Sequence, residues 1–184
     1  MTEERAVDGI AGYKRVGERR FREVIGFYYD DFQVGDVFEH RPGRTVTEAD
    51  NLIINLLCMN PSPLHIDAAY CAGGEWGRPL MSSLVTFAVV CGMSVRSTSG
   101  RAVANLGWDR IRLLAPVFAG DTLWSSSTVL AKRDSASRPH AGIVTVRTST
   151  INQHGVEVCT FERTFYVYRR GAEQLRDVRP ERVE

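Results

Sequence analysis

Several features that would assign the chain to a large class of proteins are missing. No run of 18 apolar residues occurs, so a membrane-spanning helix is not predicted. The formal net charge is only +1, so the chain has no strong positive potential that would attract nucleic acid or an anionic membrane surface. The Gly-x-Gly-x-x-Gly, Walker A and Gly-x-Ser-x-Gly patterns are absent too. We therefore expect no nucleic-acid or membrane partner, no nucleotide fold and no serine hydrolase.

Cysteine and histidine, the usual metal ligands, are few and scattered. The four cysteines match neither Cys-x-x-Cys nor a zinc framework, and each lies in an apolar run, which predicts buried, reduced thiols in a cytosolic protein. Three histidines have no ligand spacing and are interpreted as surface residues, so no metal and no cofactor is predicted. The cysteines are Cys58, Cys71, Cys91 and Cys159, and these histidines are His40, His140 and His154.

The chain length and composition predict one domain with two flanking segments. Hydrophobic residues make up 43% and charged residues 24% of the 184 residues, which is typical of a soluble globular protein. Residues 1–25 are charged and predicted to be a solvated arm with a short amphipathic helix around 17–25; contact with phosphate is the alternative. Residues 1–5 are acidic and polar, which argues against a secretory signal and favours the cytoplasm. The domain is placed at 26–170 and a frayed tail at 171–184.

The hydrophobic periodicity predicts helices first and strands afterwards. A strand at 37–40 precedes a helix at 48–58, N-capped by Thr47, with an apolar face of Leu52, Leu56 and Met59. Asp67 is a candidate N-cap for a short helix at 68–72. Residues 80–95 are apolar nearly all round and predict one buried helix. Four strands in a meander then follow, at 103–117, 122–132, 142–152 and 156–168. This order predicts an α+β fold in which an antiparallel sheet wraps around one long helix.

Chemically useful side chains are concentrated at residues 60–67. This segment contains two prolines together with Asn60, Ser62, His65 and Asp67, and it lies between two apolar helical runs. A histidine has an unperturbed pKa near 6.5, which suits proton transfer at neutral pH. The segment is therefore the candidate site of the chemistry.

The pattern resembles the MaoC-like dehydratase family, which has a hot-dog fold and includes the R-specific enoyl-CoA hydratases. The family motif Asp-x-Asn-Pro-(Leu/Ile/Val)-His is matched in register by Pro63, Leu64 and His65, and Asp67 matches the Asp that follows. Residues 78–83 correspond to the start of the family's central helix, and residues 115–123 match its Pro-Val-x-x-Gly-Asp-x-Leu signature. Segments 34–36, 42–47 and 104–107 resemble the branch that acts on branched dicarboxylic acyl-CoAs, such as mesaconyl-CoA and itaconyl-CoA.

The resemblance implies reversible addition of water to an α,β-unsaturated acyl-CoA, with the CoA thioester as substrate. It assigns His65 as the catalytic acid/base and the backbone N–H of Ser83 as the donor to the enolate oxygen, next to Ser82. The hydroxyls of Ser82, Ser83 and Thr86 are candidate substrate contacts, or else simply cap the helix. Ser62 is a further candidate for substrate binding. The family also implies a homodimer or higher oligomer, consistent with the exposed edges of such a sheet.

Three positions depart from the family pattern. The family Asp falls on Asn60, the family Asn on Ser62, and the glycine at the head of the central helix on Ser83. An amide can hold a water molecule but cannot accept its proton. The hypothesis is that Asn60 positions the water while His65 alone moves the protons. The alternative is a catalytically weakened protein that binds acyl-CoA or has a regulatory role.

A hot-dog thioesterase is a further alternative, but a less favoured one. Many such thioesterases carry an Asp or Glu on the central helix, as nucleophile or base. Residues 81–100 contain neither residue type, which argues against this activity.

Overall fold

The computed structural model describes residues 12–172 and contains two antiparallel sheets. The large sheet has the strand order β3-β6-β7-β8-β5, with β4 paired to β6, and the small one is a hairpin of β1 and β2. Helix α4 (Ser83–Ser94) packs on one face of the large sheet, as the α+β prediction requires. The strands are β1 (Tyr13–Gly17), β2 (Arg20–Glu23), β3 (Val37–Glu39), β4 (Arg44–Thr45), β5 (Ala102–Leu113), β6 (Thr122–Asp134), β7 (Ala141–Asn152) and β8 (Glu157–Tyr168).

The helices at 48–57 and 68–72 lie where the sequence predicts them, and their caps explain their starts, whereas the single helical turn at 63–66 was not predicted. The Thr47 hydroxyl accepts from the Asp50 N–H while Asp50 accepts from the Thr47 N–H, a capping box that begins α1. Asp67 is the N-cap of α3, and its side chain accepts from the Tyr70 N–H at 2.9 Å. The helices are α1 (Glu48–Leu57), α2 (Pro63–Ile66), α3 (Ala68–Ala72) and α4 (Ser83–Ser94).

The central helix α4 is shorter and less buried than predicted. It begins at Ser83 because Leu80 forms a β-bridge with Phe118 and Ser82 is the N-cap, and it continues as a π-helical turn over Val95–Ser99. One stripe of the helix is exposed in the single chain, with Leu84 53% accessible. The prediction of a helix buried on all sides was wrong, because the sheet covers only one of its faces.

The meander prediction was wrong for its first strand. Strand β5 pairs with β8 at the far side of the sheet, so only β6, β7 and β8 form a meander. In the connection between β5 and β6, the Val117 carbonyl accepts from the Met81 N–H at 2.9 Å. The turn at Gly120, which has a φ of +96°, therefore starts β6 instead of closing a β5–β6 hairpin.

Helix α1 turns its polar side inward, opposite to the simplest interpretation of its sequence. The apolar face that contains Leu52 and Leu56 is exposed, and Leu57 is 79% accessible. The side facing the protein carries Asn51 and Asn55, at 4% and 1% accessibility. Since buried amides need partners, this orientation already indicates a hydrogen-bond network beneath the helix.

The N-terminal arm contains strands where a helix was expected. The structure places the β1–β2 hairpin at residues 13–23, in conflict with the predicted helix around 17–25. The hairpin is closed by a turn at 18–19, and its two strands pair with each other in antiparallel register. The predictions for residues 1–11 and 173–184 lie outside the described residues. Within the described chain, none of the helices has the length and apolar character that crossing a membrane requires.

Two predictions of exposure were wrong: His40 was expected at the surface and Cys58 in the interior. His40 is 1% accessible and lies between the Ser97 and Ser127 hydroxyls, at 2.5 and 2.7 Å from its two ring nitrogens. Cys58 is exposed at the end of α1, whereas Cys71 and Cys159 are buried as predicted and Cys91 is partly buried; all four thiols are free. His40 was misassigned because it follows a short strand whose inner face is not evident from three residues.

Burial of His40 predicts a stability that depends on pH. Burial, reinforced by the Arg41 charge, lowers the pKa of His40 to about 4. The unfolded state therefore binds one more proton than the native state between pH 6.5 and 4, so stability falls as pH decreases through this window, by at most about 3 kcal/mol from this group. We expect His40→Gln to flatten the slope of unfolding free energy against pH between 6.5 and 4, measured by urea denaturation. An unchanged slope would show that His40 is not the group responsible.

Candidate functional site

His65 lies in the single helical turn of α2 and is held in one tautomer. Pro63 starts this turn, and the His65 N–H donates to the Ser62 carbonyl. The ring atom Nδ1 lies 2.8 Å from the Leu80 carbonyl oxygen. A carbonyl only accepts, so Nδ1 carries the proton and Nε2 presents a lone pair. Because no described residue bonds to Nε2, the ring is set up to accept a proton from a bound molecule.

A buried asparagine connects His65 to the start of the central helix. The Asn51 Nδ2 donates to the carbonyls of His65 and Leu80, at 2.8 and 3.1 Å. Its Oδ1 accepts from the Ser82 N–H at 3.0 Å and from the Asn55 Nδ2 at 3.0 Å. One side chain thus fixes α2, the segment before α4 and the first residues of α4 relative to one another.

We expect Asn51→Asp to lower stability strongly. The change removes both donated bonds and places a carboxylate against two carbonyl oxygens in a buried site, which we expect to cost about 3 kcal/mol or more. For a chain of this size that is a fall in Tm of about 6–12 °C, measured by differential scanning calorimetry. The same change at Asn60 is the control, since it removes one bond of 3.3 Å and is expected to cost about 1 kcal/mol. A Tm for Asn51→Asp equal to that of the control would contradict the network.

Asn60 and Ser62 are connected to this network by hydrogen bonds. The Asn60 Nδ2 donates to the Asn55 Oδ1, and its Oδ1 accepts from the Ser62 N–H at 3.2 Å. The Asn60 N–H donates to the Asn55 carbonyl at 2.9 Å. Both residues are partly buried. The amide of Asn60 therefore holds the loop, and it keeps one N–H and one lone pair for a water molecule.

A cavity of about 260 Å³ lies beside the start of α4. Ser83 and Thr86 line it, opposite residues of β5 and the segment that follows β5. Thr86 is only 2% accessible, and its hydroxyl has no hydrogen-bond partner among the described residues. Leu80, whose carbonyl binds His65, is also a wall of the cavity. The remaining wall residues are Trp76, Met81, Leu113, Leu114, Ala115, Pro116 and Val117.

The helix start next to this cavity has free backbone donors. Ser82 is the N-cap; its hydroxyl accepts from the Val85 N–H at 3.4 Å and its carbonyl from the Thr86 N–H. Its own N–H is taken by Asn51. The first N–H groups of a helix have no partner within it, so those of Ser83 and Leu84 remain for a ligand in the described part of the chain. This end of α4 carries the positive end of the helix dipole.

The structure brings some of the predicted residues together and separates others. Ser83 and Thr86 share the cavity, and His65 is one hydrogen bond from its wall residue Leu80. Ser82 is buried and acts as the cap, so its hydroxyl does not line the cavity. Asn60 bonds to Asn55 and to the Ser62 N–H, and neither Asn60 nor Ser62 is a wall residue of the cavity. A larger cavity of about 890 Å³ lies under the β1–β2 hairpin and contains none of the predicted residues.

Sequence reasoning missed Asn51 and Asn55. The one signal was the spacing of two amides at i and i+4 on the predicted helix, which places them on the same face. That face looked solvent-exposed because the leucines and isoleucines lie on the other side.

Comparison with known proteins assigns the chain to a family. The family model for mesaconyl-CoA hydratase matches residues 9–177. The chain belongs to the mesaconyl-CoA hydratase family. Mesaconyl-CoA hydratase of Cereibacter sphaeroides is 32% identical over 145 residues, which cover 79% of this chain and 42% of that protein. The chain thus spans less than half the length of this relative.

Solved structures of related proteins confirm the hot-dog fold that the resemblance implies. A MaoC-like dehydratase from Rhodospirillum rubrum has a TM-score of 0.69 at 29% identity, over 79% of this chain and 99% of that one. A conserved Mycobacterium tuberculosis protein with a double hot-dog fold has a TM-score of 0.71 at 26% identity, over 84% of this chain and 46% of that one. The chain therefore matches about half of that double hot-dog protein.

Proposed function

We propose that the chain catalyses reversible addition of water to an α,β-unsaturated acyl-CoA. The observation that carries this proposal is the tautomer of His65, whose Nδ1–H donates to the carbonyl of Leu80, a wall residue of the cavity, and whose Nε2 has no partner among the described residues. Membership of the mesaconyl-CoA hydratase family supports the reaction class. The same support favours a branched dicarboxylic substrate such as mesaconyl-CoA or itaconyl-CoA.

The proposed mechanism uses His65 for both proton transfers. Nε2 takes a proton from water as the water oxygen bonds to the β-carbon, and the thioester becomes an enolate. The N–H of Ser83 donates to the enolate oxygen, where the helix dipole favours negative charge. The imidazolium, stabilised by the Leu80 carbonyl, then returns the proton to the α-carbon. The sum of these steps is the addition of one water molecule.

Asn60 and Thr86 have supporting roles in this proposal. The free N–H and lone pair of Asn60 hold the water, since the amide cannot take its proton. The unpartnered Thr86 hydroxyl contacts the acyl group within the cavity. Ser62 contributes its backbone, which fixes both Asn60 and His65.

The activity is tested by incubating the purified protein with crotonyl-CoA, mesaconyl-CoA and itaconyl-CoA. Loss of the enoyl absorbance and formation of the hydroxyacyl-CoA, identified by mass spectrometry, are the expected results. Unchanged absorbance with all three substrates would overturn the proposal. Release of free CoA would indicate a thioesterase instead.

A second candidate function is acyl-CoA binding with weakened catalysis. The specific observation that favours it is the use of the Asn60 amide inside the loop, where the family has a carboxylate. Binding of acyl-CoAs in a thermal-shift assay, without any change in the enoyl absorbance, would select this function over hydration.

We also propose that the chain forms a homodimer. Strand β5 pairs only with β8 within the described sheet, which leaves its other edge free. Exposed apolar side chains flank this edge, including Leu106 and Trp108 on β5, and Leu84 lies on the exposed stripe of α4. Pairing of two β5 edges would cover these residues. Light scattering coupled to size exclusion tests the proposal, and a monomer at micromolar concentration would contradict it.

A further inference from the structure

Arg78 does not line the cavity itself, but aromatic contacts connect it to the wall residue Trp76. Its guanidinium lies over the ring of Phe118, 4.1 Å from the ring centre. Trp76 packs against the same ring with centroids 6.1 Å apart, and Trp76 is part of the cavity wall. Stacking of a guanidinium on an aromatic face is favourable, so the cation has a defined position.

The backbone links Arg78 closely to His65. Gly77 adopts a φ of +66°, a turn conformation that glycine favours, and Pro79 restricts the next step of the chain. Leu80 then pairs with Phe118 and accepts the hydrogen bond from His65. The Cα atoms of Arg78 and Leu80 are thus at most about 7 Å apart. The guanidinium and the catalytic imidazole are fixed to the same short segment.

The charge of Arg78 is not neutralised within the described chain. No carboxylate in residues 12–172 lies within ion-pair distance of it. The residues that line the cavity are all uncharged. Arg112 is close in sequence to the β5 wall but pairs with Thr160, on the face of the sheet opposite Cys159 and Phe161. Arg78 is therefore an exposed cation with no acidic partner among the described residues, and it is connected to an uncharged cavity through Phe118 and Trp76.

We propose that Arg78 binds the free carboxylate of a dicarboxylic enoyl-CoA and so determines the acyl specificity of the site. This inference rests on the proposed hydratase function. In mesaconyl-CoA the carboxylate is bonded to the β-carbon, which is the atom that water attacks. Its oxygens therefore lie two bonds from the β-carbon, the atom at which His65 activates the attacking water. Arginine suits this task because its planar fork donates two parallel hydrogen bonds to a carboxylate.

The kinetic test compares two substrates of the same shape. Tiglyl-CoA has the skeleton of mesaconyl-CoA with a methyl group in place of the carboxylate. We expect Arg78→Gln to lower kcat/KM for mesaconyl-CoA by about 10–100-fold, the usual effect of a hydrogen bond between charged groups, and for tiglyl-CoA by less than about threefold. Arg78→Lys keeps the charge without the fork and is expected to give an intermediate loss.

The matched control is Arg112→Gln, the same substitution at an arginine on the face of the sheet that points away from the cavity. It is expected to leave the ratio of the two kcat/KM values unchanged. An equal loss of kcat/KM for both substrates in Arg78→Gln would overturn the proposal. It would indicate that Arg78 contacts a group common to both substrates, such as the CoA phosphates. In that case, Arg78→Gln would no longer lower kcat/KM when the substrates are thioesters of N-acetylcysteamine, which lack the CoA phosphates.

A binding measurement separates this proposal from the hydratase proposal. The saturated analogues 2-methylsuccinyl-CoA and 2-methylbutyryl-CoA cannot be hydrated, and they also differ only in carboxylate against methyl. Calorimetry is expected to show that the wild-type protein prefers the carboxylate by about tenfold or more, and that Arg78→Gln and Arg78→Lys reduce this preference. If the wild-type protein hydrates no enoyl-CoA but keeps this preference, only the hydratase proposal fails. If the wild-type protein shows no preference, the assignment of Arg78 fails.

Discussion

Replacing His65 by alanine is expected to lower kcat for hydration by about 10²–10⁴-fold, the usual contribution of a general acid/base. In the proposed mechanism Nε2 carries both protons, because Asn60 stands where the family has a carboxylate. The loss should appear in kcat more than in KM, since the imidazole acts on the reacting atoms. Steady-state kinetics with the best substrate of the enoyl-CoA panel measures it.

A second variant separates chemistry from structure at the same position. His65→Asn places an amide N–H where Nδ1–H lies, so the bond to the Leu80 carbonyl can be kept without any group that accepts a proton. We expect this variant to retain the wild-type Tm and to be as inactive as His65→Ala. His154→Ala, at an exposed turn, is the control for the loss of an imidazole. Full hydration by His65→Asn would show that another group moves the protons.

Replacing Ser83 by proline is expected to lower kcat by about 10²–10³-fold, the effect of removing one oxyanion donor. Proline has no N–H, and it is favoured at the first position of a helix, where that N–H has no partner within the helix. Ser82 already has the extended backbone that a following proline requires, with φ −66° and ψ 152°. The substitution therefore removes the proposed donor while it preserves the helix start.

The matched variant for this experiment is Ser83→Ala. It removes the hydroxyl and keeps the N–H, so the ratio of the two kcat values isolates the backbone donor. Circular dichroism and Tm establish that α4 forms in both proteins. Equal kcat values for Ser83→Pro and Ser83→Ala would contradict the role of the N–H.

Local signals predicted most of the secondary structure. Thr47 and Asp67 were expected as caps because their side chains can accept from backbone N–H groups three residues further along, and both do so. Strands β6, β7 and β8 follow from alternation and turn residues, within one or two residues at each end. The family also follows from the sequence, because its landmarks are short and contiguous.

Long-range packing decided the features that were predicted wrongly. The orientation of α1 depends on what lies beneath it: the carbonyls of His65 and Leu80 need donors, so Asn51 faces inward and the leucines face outward. The position of β5 depends on pairing with β8, about fifty residues away along the chain. Hydrophobic periodicity contains no information about either partner. His40 was misjudged for the same reason, since Ser97 and Ser127 come from distant elements.

By itself, the sequence determined the hot-dog family, the α+β order of elements and the presence of His65 in a hydratase-type motif with Asn60 in place of a carboxylate. These properties depend on residues close together along the chain. Only the tertiary structure decided that Nδ1 of His65 carries the proton, that Asn51 joins the histidine to the start of α4, and that Thr86 reaches a cavity with an unpartnered hydroxyl. Each of these depends on a hydrogen bond, or on an enclosed space, made by segments that meet only after folding.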